Sequence, residues 1–240
     1  MNFSNIIEIK YIDWVIGSNT PIAPEQIESL TGLMEVGASN HVTPLDGRSP
    51  VLKKEIKGIG TVVIKQYLRG GMMQWLLKDR YFKTGPCRAR AEFEILLKAA
   101  GYGINVPEPI LYFQKGHLIY KCWLITKKIP NNGSIAQISL TAPDSIKTLM
   151  NKVTLQVQKM ITKGIYHVDF HPGNVLAGRD GKIYLLDFDK AFITKMKKTT
   201  LARKYVNRWN RAVLKHKLPK IILKTSFFRS DDLINASTEP

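Results

Sequence analysis

Apolar residues follow a β-type pattern in the first half of the chain and a mainly helical pattern in the second half. From Val51 to Leu68, the run Val62-Val63-Ile64 follows two glycines, which predicts antiparallel strands joined by tight turns. Ile110–Tyr112 and His117–Thr126 predict a further strand pair. Residues 1–46 have weaker signals, and we expect an irregular lead-in with one or two short elements around Glu25–Met34.

Helices are predicted in four segments. Two follow the first strands and are helical in composition, and the third has apolar residues at helical spacing. The fourth carries thirteen Lys or Arg and no Asp or Glu, interleaved with large apolar residues, which indicates a basic amphipathic helix. The four predictions are Gly70–Phe82, Ala89–Ala100, Asp144–Gly164 and Lys190–Arg229, with Pro130–Ser134 as a linker between the two halves.

Composition and charge narrow the class of protein. The chain has 240 residues, is 44% hydrophobic, and carries 36 Lys and Arg against 19 Asp and Glu, giving a net charge of +17. It is therefore expected to be globular, as one domain or two small lobes, with an anionic partner. Cys87 and Cys122 are too few for a disulfide scaffold and lack zinc-type spacing, which favours a reducing compartment. We recognise no signal peptide and no apolar run of the roughly 20 residues that cross a bilayer.

One polar segment has the spacing of a phosphoryl-transfer site. His167-Val168-Asp169-Phe170-His171-Pro172-Gly173-Asn174 places an aspartate five positions before an asparagine, and a predicted hairpin over residues 175–186 then leads to Asp187-Phe188-Asp189. Such loops align an acceptor hydroxyl and hold two Mg²⁺ ions against the nucleotide phosphates. We therefore expect Asp169 to act on the hydroxyl, with Asn174 and Asp187 as metal ligands. Taken singly, each could be a turn or cap residue.

A lysine on a predicted strand is the candidate phosphate ligand. Val62-Val63-Ile64-Lys65 has the form of the strand in which a lysine reaches nucleotide phosphates and pairs with a glutamate on a helix. Glu92 and Glu94 are both available on the following helix. His171 is a secondary candidate for phosphate contact, and a turn with a backbone hydrogen bond is the alternative. His167 is expected to support the loop and to take no part in the chemistry.

These residues resemble the kinase superfamily, and among its members the chain is similar to the bacterial lipopolysaccharide core kinases, in particular those that phosphorylate 3-deoxy-D-manno-octulosonic acid (Kdo). The resemblance covers roughly 140 residues. It favours Glu92 over Glu94 as the partner of Lys65, and it puts Gly47-Arg48-Ser49-Pro50 where the family has a glycine-rich stretch over the phosphates. Its segments are residues 64–71, 79–82, 84–85, 88–96, 106–109 and 187–190.

The resemblance implies an α+β, two-lobed protein-kinase-like fold with a small antiparallel-sheet N-lobe and a mostly helical C-lobe. The lead-in and N-lobe would occupy residues 1–130, and the C-lobe with the basic helix residues 131–240. It implies ATP and Mg²⁺ as cofactors, with Lys65, Glu92, Gly47 and His171 on the nucleotide side. The acceptor would be Kdo on lipid A, at the cytoplasmic face of the Gram-negative inner membrane, with no nucleic acid involved.

Charge supports this expectation and leaves alternatives open. An anionic leaflet attracts basic residues at about 1 kcal/mol each, and Arg69, Arg80 and Arg88 are candidate acceptor or membrane contacts. A kinase of another small molecule or of a protein is one alternative, although a polycationic aminoglycoside would favour an acidic pocket. A non-catalytic basic protein that binds membranes or nucleic acid is another. The basic helix could contact the membrane or simply pack with a solvated face.

Overall fold

The computed structural model describes residues 6–36, 51–56, 58–67, 81–82, 86–116 and 119–227, and the mixture of helices and antiparallel strands confirms the predicted α+β class. The chain divides into two units. The first is drawn from residues 1–97 and 108–128, and the second from residues 98–107 and 129–240. Among the helices described, none is both long enough and apolar enough to cross a membrane.

An antiparallel sheet of seven described strands forms the centre of the first unit. The strand order is β1-β2-β6-β7-β4-β3, and β5 pairs with β7 beyond the end of β4. Two helices of this unit lie within the described residues. The strands are β1 (Ile7–Tyr11), β2 (Trp14–Ser18), β3 (Val51–Ile56), β4 (Gly60–Gln66), β5 (Tyr81–Phe82), β6 (Pro109–Lys115) and β7 (Ile119–Lys127), and the helices are α1 (Pro24–Val36) and α2 (Arg88–Gly101).

Alternation along the strands separates the core from the functional side chains. Val62 and Ile64 of β4 are buried with α1 residues in the main apolar cluster. Because neighbouring residues of a strand point to opposite faces, Lys65 lies on the other face of the sheet. Helix α2 covers that face, where its buried Phe93 packs edge-on against Tyr112 of β6 at 5.4 Å between ring centroids. The sheet thereby directs Lys65 toward α2.

Two predictions for the first unit need correction. The lead-in contains the regular hairpin β1–β2, which joins the sheet through β6. Its two-residue turn is Ile12-Asp13, and Ile12 has φ +56°. The turn has neither the glycine nor the asparagine by which such turns are usually recognised in a sequence. The predicted helix Gly70–Phe82 is wrong at its end, because Tyr81–Phe82 pair with β7 as a strand. Its residues 70–80 lie outside the described part of the chain.

The described part of the second unit is built mainly from helices with two small sheets. Strands β10 and β11 form the predicted hairpin, β8 pairs with β10, and β12 pairs with β9. Helix α4 begins at Pro143, close to its predicted start, since proline suits the first helical position. The elements are β8 (Asn131–Ser134), α3 (Ile135–Thr141), α4 (Pro143–Thr162), β9 (Ile165–Tyr166), β10 (Val175–Gly178), β11 (Ile183–Leu185), β12 (Phe192–Ile193) and α5 (Lys198–Lys215).

Two predictions for the second unit also need correction. The linker Pro130–Ser134 contains strand β8, followed by α3 with a capping box between Ser134 and Gln137. The basic segment is helical only over Lys198–Lys215, and a 3₁₀ turn at Lys220–Ile222 follows Pro219. Proline lacks the N–H that would continue an α-helix. One face of α5 is buried through the aromatic and aliphatic residues Leu201, Tyr205, Trp209 and Val213.

Candidate active site

The predicted pairing of Lys65 with Glu92 is present in the first unit. Lys65 Nζ donates to Glu92 Oε2 at 2.8 Å, and the hydroxyl of Tyr67 donates to the same oxygen. Glu92 is buried and Lys65 is one-fifth exposed. Because a buried carboxylate is tolerated only when it is paired and hydrogen-bonded, these two donors account for its position on α2. The side chain of Lys65 remains partly accessible to solvent.

Glu94 was the alternative partner, and it faces elsewhere. Its Oε1 accepts a hydrogen bond from Nε of Arg90 at 2.8 Å, one helical turn earlier. A separation of two residues turns a side chain by more than half of the helix circumference, so Glu92 and Glu94 cannot both face the sheet. The guanidinium of Arg88 lies over the ring of Tyr67 at 5.2 Å, next to the Lys65–Glu92 pair.

The loop between β9 and β10 holds Asp169 and Asn174 in fixed relation. Asn174 Nδ2 donates to the backbone oxygen of Asp169 at 3.1 Å, across the five-residue spacing found in the sequence. With its nitrogen engaged there, the asparagine amide directs Oδ1 the other way. The side chain of Asp169 is 39% exposed. The loop therefore offers one carboxylate and one amide oxygen on a short rigid segment.

His171 caps the 3₁₀ turn over Pro172–Asn174. Its Nδ1 accepts a hydrogen bond from the N–H of Gly173 at 3.1 Å. Burial, together with the nearby charge of Arg208, lowers the pKa of His171 to about 4. The ring is thus neutral at pH 7, and it makes the backbone hydrogen bond that was the alternative to phosphate contact.

His167 ties the start of the same loop to the residue before Asp187. The fully buried ring donates from Nε2 to the oxygen of Leu186 at 2.7 Å, and burial lowers its pKa. Because burial disfavours the charged ring and Nε2 carries the donated proton, the ring is the neutral tautomer with Nδ1 unprotonated. Edge-to-face contact with Phe188 at 4.7 Å holds the ring from the other side. This geometry suits the supporting role expected for His167.

Asp187 follows the β10–β11 hairpin in a left-handed backbone conformation, with φ +61°. Such a conformation is uncommon outside glycine and often marks functional sites. The side chain of Asp187 is exposed, whereas that of Phe188 is fully buried and anchors the turn. The N–H of Leu186 donates to the oxygen of Asn174 at 2.9 Å, which extends the hairpin by one pair. Asn174 and Asp187 are thereby brought to the same end of the hairpin.

The donor chemistry of this end fits Mg²⁺. Carboxylate and amide oxygens are hard ligands, and Mg²⁺ is usually bound by one or two carboxylates together with substrate phosphates. Within the described residues no three His, Cys, Asp or Glu side chains converge as a complete metal site. The oxygens of Asn174 and Asp187 are of the kind that Mg²⁺ binds together with substrate phosphates.

An aromatic cluster joins helix α5 to this loop. Phe170, fully buried, contacts Tyr205 at 5.3 Å and Trp209 at 5.1 Å between ring centroids. The hydroxyl of Tyr205 donates to the oxygen of Ile165 and accepts the N–H of His167. Between Tyr205 and Trp209, Arg208 donates from Nη2 to Oδ1 of Asp169.

Sequence reasoning missed two side chains that touch the predicted residues. Tyr67 lies two positions after Lys65, and the two-residue period of a strand could have identified it. Arg208 lies 39 positions from Asp169, and no local pattern links the two. Three predicted positions, Gly47, Arg69 and Arg80, lie outside the described residues.

These features are those of a kinase-like protein, and comparison with known sequences defines the family. The sequence model of the lipopolysaccharide kinase (Kdo/WaaP) family matches residues 43–221. The chain therefore belongs to this family, which confirms the expected resemblance.

Several curated relatives carry the name 3-deoxy-D-manno-octulosonic acid kinase. The protein of Vibrio cholerae serotype O1 is 33% identical over 133 residues, which cover 54% of this chain and 56% of the relative. That of Vibrio parahaemolyticus serotype O3:K6 is 32% identical over 130 residues, covering 53% and 54%. That of Xylella fastidiosa is 28% identical over 175 residues, covering 70% and 69%. The matched region spans little more than half the length of the Vibrio relatives.

Proposed function

We propose that the protein transfers the γ-phosphate of ATP to a hydroxyl of Kdo on lipid A. The observation that carries this proposal is the loop in which Asn174 is bonded to Asp169 and joined to Asp187 by the hairpin ladder. Membership of the lipopolysaccharide kinase family and the names of the relatives support Kdo as the acceptor. The activity, the acceptor and the cofactors are all part of the proposal.

Each predicted residue has a specific task in this reaction. Lys65, held by Glu92, binds phosphate oxygens of the nucleotide through its ammonium group. The carboxylate of Asp169 orients the acceptor hydroxyl and accepts its proton as the oxygen attacks. Asn174 and Asp187 would hold Mg²⁺, which when bound neutralises charge on the phosphates. Gly47 and His171 remain predicted nucleotide contacts, the latter through its neutral ring.

The charge of the chain supports an anionic acceptor at a membrane surface. A net charge of +17 favours the phosphates of lipid A and the carboxylate of Kdo over a polycation. We further propose peripheral association with the cytoplasmic face of the inner membrane, driven by basic residues near an anionic leaflet. Sedimentation with anionic vesicles at low salt, abolished at high salt or with neutral vesicles, is the expected result.

The direct test is incubation of the purified protein with ATP, Mg²⁺ and Kdo-bearing lipid A, with mass spectrometry of the lipid. We expect addition of one phosphoryl group, lost in Asp169→Asn and kept in Asp144→Asn, a matched change at an exposed helix residue. Equal addition by Asp169→Asn would contradict the assigned role. If the wild-type protein binds ATP but adds no phosphoryl group, the acceptor is a molecule other than Kdo-lipid A. If it does not bind ATP, the proposal that it is a kinase is refuted.

A further inference from the structure

Arg208 on α5 contacts the side chain on which the proposed reaction depends. Its Nη2 donates to Oδ1 of Asp169. The flanking Tyr205 and Trp209 are fully buried, and Trp209 Nε1 donates to the oxygen of Ile222 at 2.8 Å. Two anchored neighbours fix the backbone from which Arg208 extends. The guanidinium therefore reaches Asp169 from a rigid element outside the loop.

The contact leaves one oxygen of the carboxylate available. The backbone oxygen of Asp169 accepts from Asn174, and Oδ1 accepts from Arg208. No described residue donates to Oδ2, and the side chain is 39% exposed. The terminal torsion of an aspartate is broad and nearly two-fold, so an unpinned carboxylate would sample several orientations. Arg208 restricts that freedom while the side chain of Asp169 stays partly exposed.

A second donor of Arg208 lies on the same guanidinium edge. In a guanidinium, Nε–H and one Nη2–H point to the same side and match the two oxygens of a carboxylate. Nε of Arg208 is buried and has no hydrogen-bond partner among the described residues. Among the described residues, this edge of the guanidinium contacts Asp169 alone. The neighbouring position along the chain, Val168, supplies no cation.

We propose that Arg208 is a positioning residue that orients the carboxylate of Asp169 toward the acceptor hydroxyl, and this inference rests on the proposed function. Both side chains are more than one-third exposed, and such ion pairs contribute little to stability. The value of the contact is thus orientation, because small misplacement of a catalytic group can cost about 10²-fold in rate. Removing Arg208 should impair turnover far more than folding.

The test compares turnover, binding and stability in three single variants. Arg208→Met keeps the apolar stem and removes the donors, Arg208→Lys keeps the charge without the two-donor edge, and Arg211→Ala changes an exposed arginine on the same helix. Steady-state kinetics with ATP, Mg²⁺ and detergent-dispersed Kdo-lipid A gives kcat and KM. Thermal unfolding and equilibrium ATP binding establish that each variant is folded.

We expect Arg208→Met to lower kcat by about 10- to 10²-fold, with both KM values within twofold and the melting temperature close to wild type. Arg208→Lys should recover part of the loss, and Arg211→Ala should match wild type. Adding Arg208→Met to Asp169→Asn should cause no further loss, because the arginine acts through the aspartate.

Three results would overturn the proposal. The first is a wild-type kcat in Arg208→Met, or in Arg208→Lys should the methionine variant not fold. The second is a rise in acceptor KM at constant kcat, which would place Arg208 on the substrate. The third is an equal loss of kcat from Arg208→Met in the wild-type protein and in the Asp169→Asn variant. Inactivity of the wild-type protein is a different outcome, which refutes the proposed function before any variant is compared.

Discussion

Removing the ammonium group of Lys65 should destabilise the first unit even without substrate. In Lys65→Met, the carboxylate of Glu92, 3% exposed, loses a cation at 2.8 Å. Breaking a buried ion pair from one side costs about 3–5 kcal/mol. Because one-fifth of the lysine side chain is exposed and the hydroxyl of Tyr67 still donates to the carboxylate, we expect a somewhat smaller loss of about 2–4 kcal/mol.

The opposite change should cost less. Glu92→Gln removes the buried charge and keeps an oxygen that can accept from Tyr67, while the ammonium of Lys65 can still be hydrated. We expect a loss of about 1.5–3 kcal/mol, the range for one lost hydrogen bond to a charged group. The double variant should be more stable than the sum of the single losses predicts, since it buries no unpaired charge.

Urea unfolding at pH 7 measures these free energies by linear extrapolation. Lys53→Met, at an exposed lysine of neighbouring strand β3, is the control and should stay within about 0.5 kcal/mol of wild type. If Lys65→Met were as stable as this control, or if the two single losses simply added, the buried pair would have no energetic role and the reasoning would be wrong.

Two further predictions concern Gly164 and His171 of the second unit, with Gly32 of the first unit as a comparison. Gly164 has φ +64°, and an added Cβ would lie 2.7 Å from the backbone oxygen of Thr194, so Gly164→Ala should lower the unfolding free energy by at least about 1–2 kcal/mol. Gly32→Ala, at an open helical position, should instead raise the unfolding free energy by about 0.5–1 kcal/mol. Urea unfolding that ranks the two variants in the opposite order would contradict this reasoning. Burial lowers the pKa of His171 to about 4 in the folded chain. Below pH 6.5 the unfolded chain therefore binds a proton at this residue that the folded chain does not bind. The unfolding free energy should consequently fall from pH 7 toward pH 4. His171→Asn keeps a side-chain acceptor for the N–H of Gly173 and should show a smaller fall between pH 7 and pH 5; an unchanged fall would exclude His171 as a contributor.

Elements with a local signal could be predicted from the sequence. Helix α4 has apolar residues at helical spacing over 20 residues, and the β10–β11 hairpin has glycines at its turn. Hairpin β1–β2 could not be recognised, because its turn has no glycine and its partner β6 lies more than 90 residues later. Pairing between distant strands depends on tertiary context that periodicity does not contain. The end of α5 was predicted too late, because the run of basic residues was taken as one helix in spite of Pro219.

The candidate site was predictable to the extent that its residues lie close together in sequence. Three of these residues, Asp169, Asn174 and Asp187, belong to one loop and the hairpin that follows it. Their spacing was therefore sufficient to predict them as one set. The choice of Glu92 over Glu94 came from the family resemblance, and the geometry of α2 explains it physically. Arg208 could not be found, because only the packing of α5 against the loop brings it to Asp169.

The hairpin whose hydrogen-bonded ladder ends at Asn174 and Leu186 tolerates insertions at its tip differently from insertions within its strands. At its closed tip, residues 179–182 are exposed, and extra residues there would enlarge the turn without moving its open end. A single residue added within one strand would shift the register and reverse which side chains face inward. The interval of thirteen residues between Asn174 and Asp187 is thus a property of this hairpin and no requirement of the chemistry. A search for the same pair in other genomes should anchor both ends and let the middle vary.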